Sequence, residues 1–183
     1  MSAAPRQAGT KGWAAAAADV LLQMVSEGAF PDADSPTSIA HGVPRVIDGV
    51  ILLNAEGRVL EISPNANSLM RRLGVSQNLV GASLIEATMD AMVRGEQIEE
   101  TMAVVLAGRA PWRVDVTSRG ATVAVRAIPL WRGGNRAGAV ILVRDVTEMR
   151  RHEQQLMTKD ATIREIHHRV KNNLQTVSAL LRM

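Results

Sequence analysis

The segment Glu165-Ile166-His167-His168-Arg169-Val170-Lys171-Asn172-Asn173 sets two imidazoles among an acid, two cations and two amides. An imidazole with an ordinary pKa keeps a nitrogen lone pair at neutral pH, so it can take a proton or attack a phosphoryl group directly. Helical spacing brings residues three and four apart onto one side. Glu165, one turn before His168, can hold the ring or accept its proton. Asn172, one turn after, can orient the ring or a water. Arg169 and Lys171 can meet a phosphate or an acidic protein. His167 reads more simply as a surface or packing histidine.

The element that must carry these groups shows a seven-residue repeat. Met149, Leu156, Ile163, Val170 and Val177 form an apolar seam, and His152, Lys159, Ile166, Asn173 and Leu180 follow three residues on. This is a coiled-coil pattern, polar early and apolar late. A parallel homodimer is the simplest partner, with Met149, Leu156, Ile163, Ile166, Val170 and Val177 on its seam. A helix folded back on its own domain is the alternative. With Ile163 at position a and Ile166 at d, His167 falls at e and His168 at f, the position turned away from the seam.

Upstream, Gly49–Leu53 and Arg58–Ile62 read as two strands around the turn Asn54-Ala55-Glu56-Gly57. Ser63 can cap a helix with Pro64 at its first position, ending at Gly74. A short helix follows over Ser83–Ala87. A longer one is expected from Met89 to Ala107, with Met92, Ile98, Met102, Val105 and Leu106 inward. Three strands complete the series: Trp112–Thr117, Ala121–Leu130 and Ala137–Arg144. Ser118-Arg119-Gly120 makes a tight turn between the first two, and the loop Arg132–Arg136 precedes the last. The fold class is α+β, a five-stranded antiparallel sheet with helices on one face. Before it, Gly12–Glu27 reads as a helix and residues 31–36 as a linker. That helix either packs on a partner or ends a preceding domain.

Composition removes several functions. Among the 183 residues there is no cysteine, which excludes disulfides, thiolate metal sites and cysteinyl-flavin adducts and suits a reducing cytosol. A net charge of +3 with scattered arginines and 2% aromatics argues against nucleic-acid binding. No apolar run reaches the length of a membrane span, and no signal peptide is read. No Walker or dinucleotide-binding glycine pattern occurs. His41 precedes the central domain and His152, His167 and His168 follow it, so no axial haem ligand lies within. The methionines Met89, Met92 and Met102 read as adaptable core. No cofactor is expected in the chain, and a small apolar cavity at most.

The strand-strand-helices-strand-strand-strand order resembles the PAS family. Gly49–Val59 is similar to its opening hairpin, Pro64–Gly74 to its first helix, Leu79–Leu84 to the segment after it. Arg126–Leu130 and Val140–Glu148 are similar to its last strands and exit. The resemblance spans residues 43–148, leaving 1–42 as helix and linker and 149–183 as a signalling helix. It implies that Asp145 or Thr147 caps the exit helix and couples strand to helix. His168-Arg169-Val170-Lys171-Asn172 is similar to the phosphoacceptor box of sensor histidine kinases with the signature His-Arg-x-Lys-Asn. In the better-known kinase class an acid follows the histidine directly; here Arg169 stands there. Ala18–Asp32 is similar to the end of the GAF domain that precedes PAS in such kinases.

The resemblance implies a sensor and phosphoacceptor region. His168 would be phosphorylated from ATP and relay phosphate to a response-regulator aspartate. It implies a homodimer, an ATP-binding domain in the parent kinase with ATP and Mg²⁺, and a cytoplasmic location. No segment here offers that ATP-binding domain, so a fragment inactive alone is expected. The rival reading is a stand-alone PAS dimer or ligand sensor with incidental histidines.

Overall fold

The computed structural model describes residues 10–28, 48–92 and 100–180. Its elements are α1 (Thr10–Ser26), β1 (Gly49–Leu53), β2 (Val59–Ile62), α2 (Pro64–Arg72), α3 (Leu84–Ala91), α4 (Glu100–Leu106), β3 (Arg113–Ser118), β4 (Ala121–Arg132), β5 (Asn135–Asp145) and α5 (Thr147–Leu180). The chain divides into two units, Met1–Asp145 and Val146–Met183.

In the first unit the strands form one antiparallel sheet in the order β2-β1-β5-β4-β3. The opening hairpin turns where Asn54 Oδ1 accepts from the amides of Glu56 at 3.1 Å and Arg58 at 2.8 Å. Gly57 takes the positive φ of 81° that this turn requires. Arg119 and Gly120, with φ of 51° and 75°, close the β3–β4 turn in the left-handed geometry that matches strand twist. Gly133 and Gly134 do the same for β4–β5, with φ of 55° and 76°. The expected loop over Arg132–Arg136 is therefore a two-residue turn. Arg132 pairs with Asn135, and both strands run longer than the alternation suggested.

The core lies between the sheet and α2, α3 and α4. Ile51, Leu53, Val116, Val123, Val125, Ile141 and Val143 meet Leu69, Met70, Leu84, Val105 and Leu106. Ser63 works on two elements at once. Its Oγ accepts from Ala66 N at 3.3 Å, capping α2, and from Val50 N at 2.9 Å, tying that cap to β1.

The long helix expected over Met89–Ala107 does not form as one piece. Ser83 caps α3, so Met89–Ala91 belong to the helix begun there. Met92 ends it in extended geometry, with φ −69° and ψ 145°. The α4 helix supplies Met102, Val105 and Leu106 to the core as expected, whereas Ile98 lies outside the described residues.

The sheet's other face is covered by α1. Ala17, Val20 and Met24 bury against Leu52, Leu130 and Val140, with Val50, Ile128 and Leu142 at the margin. The helix thus shares the sheet's hydrophobic surface, which neither of its two expected roles had anticipated. The linker at 31–36 lies outside the described residues.

Gly49 marks a close approach of α2 to the sheet. A Cβ there would stand 2.5 Å from the Ala66 backbone and 2.6 Å from the Val143 side chain. Backbone cannot yield as a side-chain tip can. Gly49→Ala is expected to lower unfolding stability by about 2–3 kcal/mol, as overpacked sites do. Urea unfolding followed by tryptophan fluorescence checks this, and an unchanged midpoint would show that α2 is free to move away.

Candidate functional site

The second unit is dominated by α5, whose 34 residues run from Thr147 to Leu180. At 1.5 Å per residue it is about 51 Å long. Polar and charged residues fill most of its surface, and pairs one turn apart support it: Arg151 with Glu148 at 2.8 Å, Arg150 with Glu153 at 2.6 Å, Arg169 with Glu165 at 2.5 Å.

Against this polar background the apolar stripe is exposed. Met149 is 45% exposed, Leu156 62%, Ile163 53%, Ile166 55% and Val170 49%. Scattered exposed apolar residues are ordinary, whereas these stand in a row at heptad spacing on one long helix. The side chain of Val177 lies outside the described residues, though its backbone continues the helix.

His168 is exposed on this helix, as is His167. Five residues separate Ile163 from His168, about 140° around a 3.6-residue helix, so the imidazole projects well away from the stripe. Glu165 lies one turn before it, as expected, and its carboxylate is engaged by Arg169. That partner went unnamed in the sequence reading, although the four-residue spacing of acid and arginine was a visible signal. The side chain of Asn172 lies outside the described residues.

At the origin of α5, Asp145 is the last residue of β5 and Thr147, which is buried, is the first of the helix. The Asp145 carboxylate accepts from Arg72 Nη1 at the end of α2. Its neighbour Arg144 is paired with Asp48. Neither partner was legible, because 73 residues separate Arg72 from Asp145 and 96 separate Asp48 from Arg144. A third arginine, Arg136, donates to Ala55 O at 2.9 Å and also to Ala107 O, joining the first hairpin to the end of α4. Burial, with repulsion from Arg109, holds its pKa below the usual arginine value.

The match to the PAS fold model covers residues 43–151, more than half of the chain. The chain belongs to the PAS fold family. A histidine kinase family model matches residues 165–183, the segment that contains His168. Sensor histidine kinase PdtaS of Mycobacterium tuberculosis (strain ATCC 25618 / H37Rv) is 47% identical over 167 residues, covering 89% of this chain and 33% of that protein. The protein of the same name from Mycolicibacterium smegmatis is 44% identical over 169 residues, covering 91% and 34%. The chain therefore spans about a third of the length of these curated relatives. A solved structure described as the sensor region of a sensor histidine kinase is 36% identical with a TM-score of 0.62, covering 80% of this chain and 55% of that one. Among the described residues no helix is long and apolar enough to cross a membrane.

The Arg169–Glu165 pair is 74% and 62% exposed. Such pairs contribute little in water, so Glu165→Ala is expected to change unfolding stability by less than about 0.5 kcal/mol. Circular dichroism melts check this. A larger loss would mean that Glu165 anchors the helix instead of serving its surface.

Proposed function

We propose that this chain is the sensing and phosphoacceptor part of a cytoplasmic two-component histidine kinase. The PAS unit passes its state through the β5–α5 junction, at Asp145 and Thr147, to a helix that pairs with a second copy in parallel. His168 is the phosphorylated residue. The observation that carries this reading is geometric: an exposed imidazole sits opposite an exposed heptad stripe, within the segment that matches histidine kinases.

The chemistry follows from that placement. Pairing along Met149, Leu156, Ile163, Ile166, Val170 and Val177 buries the stripe and leaves position f in solvent. The neutral imidazole nitrogen attacks the γ-phosphorus of ATP, the bond to the bridging oxygen breaks, and ADP leaves. ATP and Mg²⁺ are supplied by the kinase's catalytic domain. This chain contributes the nucleophile, with Glu165 and Asn172 placed to orient the ring or receive its proton. An outward phosphohistidine can then meet the aspartate of a response regulator, and Arg169 and Lys171 favour an acidic partner surface. Neither a membrane nor a nucleic acid enters this scheme, and the PAS unit is assigned no identified cofactor.

Mixing the chain with ATP and the catalytic domain of a related kinase tests the reading. Acid-labile phosphate should appear on the chain, vanish in His168→Gln and persist in His167→Gln. Labelling that survives in His168→Gln would sink the assignment, and no labelling at all would favour a PAS module without phosphotransfer. The pairing has its own test. Light scattering should give a dimer, and Ile163→Asp should shift it toward monomer by about tenfold or more in dissociation constant, since it sets two carboxylates in an apolar layer. A chain that is monomeric at high concentration removes the coiled coil.

A further inference from the structure

Asp48 stands where the chain enters the sheet, immediately before β1, and Arg144 is the next-to-last residue of β5. Arg144 Nε donates to Asp48 Oδ1 at 2.9 Å, and Nη2 donates to Oδ2 at 2.5 Å. This two-pronged match of guanidinium to carboxylate fixes orientation as well as distance. The side chains are 9% and 26% exposed, so the pair is largely withdrawn from water. The bond from Asp48 holds the Arg144 pKa above its ordinary value.

The position of the pair is what matters. The β1–β5 ladder runs from Leu53↔Ala139 to Gly49↔Val143, and Asp48 and Arg144 are the residues next to its end. On the other side β4 continues to pair as far as Val123↔Asp145. The Asp48 carboxylate adds a side-chain link to β5 one residue beyond that ladder. One residue later, Asp145 points to the opposite side of the strand and is held by Arg72 of α2. The last two residues of β5, Arg144 and Asp145, are thus gripped from both faces of the sheet. Two residues beyond Asp145 the helix has begun.

We propose that Asp48 is a positioning residue for the phosphoacceptor helix, through which displacement of the chain entering the PAS unit reaches the start of α5 without any ligand in the PAS core. This rests on α5 carrying the phosphoacceptor. A pair that only stabilised the fold would loosen all of the unit together when broken. A positioning pair loosens the exit first, because the strands on either side of it keep their own ladders.

Hydrogen exchange on the full chain separates these outcomes. In Asp48→Asn the amides of residues 148–152 should exchange about tenfold faster, while those of Val125 and Ile141 change by less than about threefold. The exchanged pair Asp48→Arg with Arg144→Asp should restore the original protection. Unchanged exchange at 148–152, or a rise there that only keeps step with Val125 and Ile141, overturns the proposal. With the catalytic domain and ATP added, the labelling rate of His168 should change in Asp48→Asn and return in the exchanged pair. If the unaltered chain is never labelled at His168, the phosphoacceptor reading fails, while the exchange measurement still judges Asp48.

Discussion

The backbone pairing of β5 is the constraint on which the remaining structure depends. Of its 11 residues, Asn135–Asp145, those from Ala139 to Val143 pair with β1 as well as with β4, so their peptide groups are satisfied from both edges. Both of its faces are also committed. Ala139, Ile141 and Val143 enter the main core, and Val140 and Leu142 meet the cluster under α1. A slip of one residue would exchange these two sets and lose both fits. The phase of the strand at Asp145 is therefore set by the whole sheet. Two glycines permit the close packing this requires. A Cβ at Gly138 would lie 2.2 Å from Leu53 O, and one at Gly108 would lie 2.4 Å from Ala139 Cβ.

Much of this was legible in the residues, and the exceptions share a cause. Strand alternation, the turns at Asn54–Gly57 and Ser118–Gly120 and the Ser63-Pro64 cap are local signals that appear where the residues put them, whereas Gly133-Gly134 makes a tighter turn than the expected loop. The heptad stripe on α5 was equally visible, since it needs only a period of seven. What escaped was non-local. The Asp48–Arg144 and Arg72–Asp145 pairs join residues that only the folded topology makes neighbours. The α1 helix could be recognised as apolar on one side, but nothing in its pattern named the sheet as its partner. The error over Met89–Ala107 was of another kind. Apolar spacing there fits a single helix, and the Ser83 cap, which starts a turn earlier and brings the chain to an extended Met92, outweighs it. Glu165 and His168 were recognisable as an acid and an imidazole one turn apart, and Arg169, four residues after Glu165, donates to its carboxylate.

On the proposed pairing, α5 is not uniform in strength. Each of Ile163, Ile166 and Val170 would bury a side chain worth about 1.5–3 kcal/mol. Before them the d layers hold His152 and Lys159, which bring no such gain and set like groups face to face. In that pairing the start of the helix would be held by its continuity with β5 and its later part by the apolar layers around His168. The weakest stretch lies between, where a change of register or crossing angle meets the least resistance.

Distance turns this arrangement into leverage. From Thr147 to His168 the helix advances 21 residues, about 32 Å at 1.5 Å each. A tilt of about 10° at the origin would carry the imidazole through about 5 Å, more than the span of a hydrogen bond. Phosphoryl transfer tolerates far smaller errors, because the attacking nitrogen must lie in line and close to the phosphorus. On the proposed function, the exit must be stiff enough that a small rearrangement is not lost before the helix begins. Two ion pairs on consecutive residues, set on opposite faces at the end of the central strand, would meet that requirement.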